Sequence, residues 1–530
     1  MKGTPFVHGD FRGGLNTKAA NYLVEDTQCR DCLNVQSTTT GAVIKRQGIL
    51  SLADIGAATK TVQAIEATSS DHFLAMSDAK IFKVVGSVPT EVASGFSEGK
   101  WTVVEATADT TGPALTPVET SQGPVFLSNG SVSKAWDGTT LTNWTMDVDS
   151  TLDVPGSLVK PHKYSLVHES RVVTAGNLEN KSTAYWSEVQ IGIGTKPRTW
   201  MLENQQLFDP DDGDEITGLG RVGSNILVFK KHKVFVVYDI NTGANRRLTS
   251  NIGCVSHRSI VETPNGTYFL ADNGVYVTNG SDVQLVSDQI TPTIIGLTQT
   301  SNATGMYFRN HYFLSSPTDG IILDYDLILK SWWKHGLGNS LVAQDFTNGF
   351  TASTEEPYCL TSSGLLGRMF SPGVYQDFDH SYGWSWAGPW LAPGQARTVY
   401  PAVRKRVKAI RVDGTGQATV RVDKDFFASG TPVTPQNANG TVLATLFPVT
   451  ASTTFGDSSY FGDVNSSTSP ATPTGPTTFS DTAGISQARI WGQGVARAWS
   501  LVFQNAAVDL TSPKAAIIQN YTIFTQERNV

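Results

Sequence analysis

The side chains of this 530-residue chain that could do chemistry fall into a few short clusters. Gly95-Phe96-Ser97-Glu98-Gly99 matches the spacing of a nucleophile elbow, where a strained turn between strand and helix lifts a serine hydroxyl toward an oxyanion hole. That device needs a helix after the serine. Here Trp101-Thr102-Val103-Val104-Glu105 reads as a strand, and the match is assigned to chance in a Gly- and Ser-rich chain. Asp209-Pro210-Asp211-Asp212-Gly213-Asp214-Glu215 concentrates carboxylates that a hard cation would accept. Gly213 stands where a calcium loop wants a ligand, and no bidentate Glu follows at the right distance. A solvated turn into Ile216-Thr217-Gly218-Leu219 is the favoured reading, and cation binding at Asp209–Glu215 stays open. Nothing selects a carboxylate pair at the separation glycoside hydrolysis requires.

Cys29-x-x-Cys32 has zinc or redox spacing but lacks two further ligands nearby, so packing is the expected role. Trp332-Trp333, Trp384, Trp386 and Trp390 could line a sugar groove, but packing at blade cores and domain junctions is favoured. The basic runs Arg404-Lys405-Arg406, Lys230-Lys231 and Arg246-Arg247 are short and read as solvated edges; the first could also meet an acidic neighbour or a phosphate. N-x-[ST] triplets such as Asn143-Trp144-Thr145 are common by chance in a chain this rich in Asn and Thr. No phosphate loop is present. No catalytic, cofactor-binding or metal-binding residue is assigned, and no cofactor is expected.

The elements that would carry these residues are strands. Glycine is abundant at 49 residues, and Thr, Ser, Asn and Val recur throughout while only 16% of residues are charged, a mixture suited to pleated strands and tight turns. A net charge of −7 does not suit gripping a polyphosphate. Four scattered cysteines fit a reducing compartment. The start, MKGTPFVHGDFRGGLN, has no signal-peptide core, and no run approaches the about 18 apolar residues of a membrane span.

Along the chain, residues 1–50 form an N-terminal arm. In it Val24–Asn34 reads as one or two helical turns with acidic residues early, and Gly41–Gly48 as a strand. From about 60 to 375, hairpins of alternating strands recur every 40 to 50 residues: Val125–Val132, Ile226–Tyr238, Thr267–Val277 and Tyr307–Leu314, with Gly320–Asp326 and Ser331–Trp333 following. The first and third are expected to turn on Asn-Gly with positive φ. That period is the length of a four-stranded propeller blade, and a stack of sandwiches is the alternative. The expectation is an all-β chain: a β-propeller over 51–375, and a C-terminal β-sandwich platform over 376–530 to which the arm contributes. Its strands include Val407–Asp413 and Ala418–Asp423 across a Gly414–Gly416 turn, then Ala498–Phe503 and Gln519–Phe524. A Thr/Ser/Pro-rich tract at 429–484 reads as a long flexible loop.

Four segments resemble proteins of tailed-phage structural gene clusters. Gly13-Gly14-Leu15-Asn16 through Asn34 to Gly41-Ala42-Val43-Ile44-Lys45-Arg46-Gln47-Gly48 is similar to their opening. Asp212–Leu219 with Leu227–Lys230 and Val234–Val237 resembles a central blade, and Gly253–Ser259 running to Tyr268–Tyr276 the next. Asp324-Tyr325-Asp326 before Trp332-Trp333 resembles the end of another. These marks span residues 13 to about 335, and it is their order along one chain that resembles the tail nozzle proteins (tail tubular protein B-like) or related tail hubs of short-tailed bacteriophages.

The resemblance implies a propeller attached to a platform built from both chain ends. It implies a structural, non-enzymatic subunit in a six-fold ring of its own copies below the portal and adaptor, meeting tail fibres or tip proteins and retaining the genome until ejection. The location implied is the virion tail, assembled in the host cytoplasm. The family supplies no catalytic residues. Six copies at −7 each carry −42, so double-stranded DNA should pass without specific binding. The competing expectations are a receptor-binding or minor tail protein at the tip and a glycan-degrading tail enzyme.

Overall fold

The computed structural model describes residues 5–20, 23–56, 59–64, 72–77, 79–96, 100–105, 125–136, 140–146, 150–154, 156–189, 199–351, 354–391, 405–416, 418–424, 442–446, 486–491, 495–496, 499–505 and 516–527. The chain is nearly all β. Among the described residues the only α-helix is the single turn Thr291–Ile295.

Among the described residues, seven four-stranded antiparallel sheets follow one another along the chain as propeller blades. Blades 1 to 6 span 61–94, 102–143, 164–207, 216–249, 261–285 and 304–335. Blade 7 takes three strands from 343–368, and its fourth is Leu50–Asp54, paired antiparallel with Leu365–Arg368. The first strand of each blade is innermost, and that of blade 7 packs against that of blade 1, which closes the ring. Glycines let these inner strands approach. A Cβ at Gly218 would lie 2.5 Å from Ile260 Cδ1, and one at Gly220 2.7 Å from Ile260 Cγ2.

Apolar side chains cluster between neighbouring blades. The 3/4 wedge holds Trp186, Leu219 and Phe235; the 7/1 wedge holds Phe73, Phe82 and Tyr358. Every middle strand therefore has a neighbour over both faces, and this modifies the expected alternation. Arg171–Ala175 is buried at all five positions, and Val234–Val237 is a continuous buried run. The outer strand of blade 4, Ala244–Thr249, is largely exposed.

The turn chemistry also differs from expectation. Gly130 does take a positive φ of 86°, while Asn129 folds as an Asx turn, its Oδ1 accepting from the amides of Ser131 (2.9 Å) and Val132 (3.0 Å). Asn273-Gly274 has no positive φ. Among the described residues, tight two-residue turns between paired strands with φ positive at both positions occur at Glu169-Ser170, Arg309-Asn310 and Phe378-Asp379, which no glycine marks.

The two chain ends fold together. One sheet runs in the order Ser486–Trp491, Lys405–Gly416, Ala516–Glu527, Val43–Lys45, Val35–Ser37, with Phe6–His8 added on Ala516–Glu527 and Val495–Ala496 on Lys405–Gly416. The other runs Asp31–Leu33, Trp384–Ala387, Trp499–Asn505, Ala418–Lys424, Val442–Leu446. The turn expected at Gly414–Gly416 is instead the end of strand Lys405–Gly416, where Gly414, Thr415 and Gly416 pair with Ile518, Ile517 and Ala516, and the next strand, Ala418–Lys424, belongs to the other sheet. The tract at 429–484 lies outside the described residues except for strand Val442–Leu446, which pairs with Ala418–Lys424 in place of the expected loop.

Trp386 and Phe503 of one sheet meet Tyr521 of the other around Phe11, with Phe11–Trp386 centroids 4.9 Å apart and Phe503–Tyr521 5.9 Å. This core is continuous with the wedge between blades 5 and 6 through Leu15, Trp332 and Trp333.

The helix expected at Val24–Asn34 is absent. Gln28–Cys29 pairs in parallel with Gly14–Leu15, and Asp31–Leu33 pairs antiparallel with Trp384–Ala387. Cys29 and Cys32 are both fully buried because the chain bends at Arg30 between two strands, so a three-residue spacing that resembles a helix face comes from a corner.

One buried ion pair ties arm, toroid and C-terminal part together. Arg46 and Asp377 are 3% and 0% exposed and bind in a fork, Nη1 to Oδ1 at 2.9 Å and Nη2 to Oδ2 at 2.5 Å. The remaining guanidinium hydrogens go to Asn34 Oδ1 (2.9 Å), the Gln47 carbonyl (3.0 Å) and the Gly336 carbonyl (2.8 Å), which satisfies all five donors. Asp377 Oδ2 also accepts from the Gly338 amide at 2.9 Å, and the Tyr382 ring lies 4.1 Å from the guanidinium carbon. Burial alone would lower the proton affinity of Arg46; Asp377 and Tyr382 more than restore it. Arg46→Met strands a buried carboxylate and should cost about 3–5 kcal/mol in denaturant unfolding. Arg46→Lys should recover only part of this, because an ammonium cannot make the fork. A loss under about 1 kcal/mol for Arg46→Met would contradict this role.

Candidate functional site

The structure resolves most of the sequence clusters into packing or charge pairing. Ser97 to Gly99 lie outside the described residues; the strand expected after them is Thr102–Glu105. Trp332, Trp333, Trp384, Trp386 and Trp390 are all buried, so they fill cores and line no groove. Both cysteines of the Cys29/Cys32 pair are free and buried, and burial pushes the Cys29 thiol up. Arg404 lies outside the described residues, and Lys405 and Arg406 begin a long strand.

The carboxylate run is held by cations from the adjoining hairpin. Lys230 has a fully buried side chain; its Nζ donates to Asp212 Oδ1 (2.8 Å), the Asp209 carbonyl (2.8 Å) and Ser182 Oγ (3.2 Å). Lys233 reaches Asp212 Oδ2 at 2.7 Å and Asp209 Oδ2 at 3.1 Å, and Arg247 reaches Asp209 at 3.2 Å. Asp214 accepts the amides of Lys231 and His232. Burial raises the Asp212 carboxyl, but the two lysines overcome this and hold it below its usual range. Lys230, read from sequence as a solvated edge, is therefore a buried counter-ion. No group of three or more potential metal ligands occurs among the described residues.

A second buried charge cluster lies in blade 6. Asp324, 0% exposed, faces His311 Nδ1 at 2.7 Å and His335 Nε2 at 3.2 Å. Burial alone would lower the His311 pKa, but Asp324 and then Asp326 raise it to about 9.

A polar cavity lies at one end of the propeller's inner strands. Residues just before the innermost strands gather at one mouth of the central channel, because every blade enters the ring in the same direction. Lys100 precedes blade 2, Lys163 blade 3, Glu215 blade 4, His257 and Arg258 blade 5, and Asn302 blade 6. They line a cavity of about 510 Å³ walled also by Tyr164.

Arg258 is anchored from below by Asp345, which is 1% exposed. Arg258 Nε donates to Asp345 Oδ1 at 3.0 Å and Nη2 to Oδ2. Asp345 also accepts from the Val62 amide (2.9 Å) and Thr304 Oγ1 (2.7 Å), linking blades 7, 1 and 6. Lys100 Nζ donates to the Ser301 carbonyl at 2.8 Å, and burial followed by Arg258 pulls its pKa down to about 8. His257 Nδ1 accepts the Leu219 amide at 3.4 Å, and its ring lies 5.0 Å from that of Tyr164. Burial, with Arg258 and Lys100, lowers the His257 pKa to about 3, so the imidazole stays neutral at physiological pH. Sequence reasoning missed this site. Its cations are isolated residues scattered over more than a hundred positions, and no local motif marks them.

Two outcomes check these assignments. With lysines already on Asp209 and Asp212, millimolar calcium should leave the melting temperature unchanged, and a calcium-dependent rise would show that a cation displaces them. Because the folded pKa of His311 is raised from 6.5 to about 9, its charge stabilises the fold fully below pH 6.5 and less as pH rises through 9. The stability difference between wild type and His311→Gln should therefore shrink from pH 6 to pH 10, and a constant difference would contradict the pairing with Asp324.

No protein-family model matches the chain, and no curated protein matches it. Among solved structures it is similar to YCF48 bound to a D1 peptide, at 11% identity and a TM-score of 0.38 over 64% of this chain and 98% of that one. It is also similar to the N-terminal domain of Nup159, at 10% identity and a TM-score of 0.34 over 64% of this chain and 98% of that one.

Proposed function

We propose that the chain is a structural subunit of a bacteriophage tail, one copy of a six-fold nozzle ring that retains the genome and conducts it during ejection. The observation that carries this reading is the two-part body. A closed toroid is joined to a pair of sheets that both chain ends build together, the organisation implied by the sequence resemblance of residues 13 to about 335. In this reading the paired sheets are the platform by which copies meet one another and the portal-side adaptor, and fibres or tip proteins attach farther out.

Mechanics supports the assignment. Each blade is covered on both faces by its neighbours, and the two ends of the chain are locked by a buried fork, so an opening load is shared around the ring. That suits a wall under internal pressure. The formal charge of −7 per copy supports passage of DNA without adhesion, since phosphate binding depends on cationic contacts.

Electron microscopy of the purified chain, alone and with the tail adaptor, tests the proposal. A hollow ring of six or twelve copies is expected. Monomers under both conditions, or trimers at a fibre tip, would overturn it, the latter in favour of a receptor-binding role.

A further inference from the structure

We propose that the cavity on the propeller axis is a binding site for a small multivalent oxyanion, a compound bearing phosphate or several carboxylates. The inference stands independently of the tail assignment. Three cations, Lys100, Lys163 and Arg258, converge on one cavity of about 510 Å³ in a chain whose net charge is −7. The one carboxylate in the lining, Glu215, is exposed and lies 3.4 Å from Lys181. The other nearby acid, Asp345, is buried beneath Arg258 and serves as its anchor.

The cations retain donors. Lys163 has no ion pair or hydrogen bond from its ammonium among the described residues, Lys100 Nζ makes a single hydrogen bond, and Arg258 leaves Nη1 without one. The fork of Arg258 is held by Asp345 in one orientation, so little rotamer freedom is lost when it meets an anion. Asn129 and Asn302, also in the lining, add neutral polar groups, and the Tyr164 ring offers a flat wall for the ligand's carbon skeleton.

Clustering like charges has a cost in the empty cavity, and it appears at Lys100, where burial and then Arg258 depress the pKa to about 8. An anion seated between them reverses that effect, so binding at pH 8 should draw a proton onto Lys100.

Calorimetric titration of the full chain at low ionic strength, with inorganic phosphate and citrate as probes, tests the site. At least one probe should bind, and Lys163→Glu should weaken it about tenfold or more. Lys163 is exposed, and an unchanged melting temperature will verify that the variant folds. Lys330→Glu, an exposed charge on a turn of blade 6, should leave the affinity unchanged. Repeating the titration at pH 8 in buffers of different ionisation enthalpy should reveal uptake of up to about half a proton, lost in Lys100→Met.

Binding of phosphate alone identifies a phosphoryl ligand, and binding of citrate alone a polycarboxylate; both support the site. No binding of either probe at 10 mM would overturn it. So would equal affinity in wild type and Lys163→Glu, or equal weakening by Lys330→Glu.

Discussion

The fold depends on one topological constraint: a ring of wedges is stable only if it closes. A blade buries two faces, so an open array would leave two apolar faces in water, one at each end. Here closure is made by Leu50–Asp54, which leaves the N-terminal arm to become the outer strand of the last blade against Leu365–Arg368. Ala53 from that strand then enters the core shared by blades 7 and 1. The chain passes from the closing strand to the strand Val43–Lys45 in a few residues, and Arg46 lies between them. Asp377 sits at the equivalent exit from blade 7. The buried fork therefore stands where both ends of the propeller leave the ring, which is why its five donors can reach the arm, the blade 6/7 connection and the segment after the last blade at once.

The paired terminal sheets follow from that placement. Both ends emerge on the same side of the ring and so can pair with each other. Their aromatic core, Phe11, Trp386, Phe503 and Tyr521, runs directly into the wedge between blades 5 and 6. Trp332 anchors the wedge, its ring packing on Tyr325 at 4.8 Å and its indole N–H donating to the Val286 carbonyl at 3.0 Å, while the arm strand Gly14–Leu15 packs on its own strand, Ser331–His335. The core between blades 5 and 6 is extended by the chain ends, and the core between blades 6 and 7 also takes in Ile49 of the arm and Phe378 from after the last blade. A part joined through a continuous core transmits load, whereas one hung on a linker swings.

The propeller was legible in the sequence because its hairpins are local: the pairs 226–238 and 307–314 each form within a dozen residues. Blade number was not, since the strand that completes the seventh blade precedes the first. The helix read at Val24–Asn34 failed because the early acids Glu25 and Asp26 suit a turn as readily as a helix start, and the residues after them pair as strands Gln28–Cys29 and Asp31–Leu33. Positive-φ turns were sought at Asn-Gly, but Glu169-Ser170 and Arg309-Asn310 take that conformation because the hairpin geometry imposes it. The axial cavity and the Arg46–Asp377 fork were invisible for one shared reason. Each gathers single residues from distant parts of the chain, 331 positions apart for the fork, and only ring closure brings them together.

Hydrogen exchange tests the closure most directly. If the ring opens only as a unit, amides of Leu50–Asp54 that bond to Leu365–Arg368 should exchange with the same opening free energy as those in the buried middle strand Arg171–Ala175 on the far side. Exchange of the closing strand orders of magnitude faster, with the blade 3 strand still protected, would mean that the ring opens independently at its seam and would contradict the account.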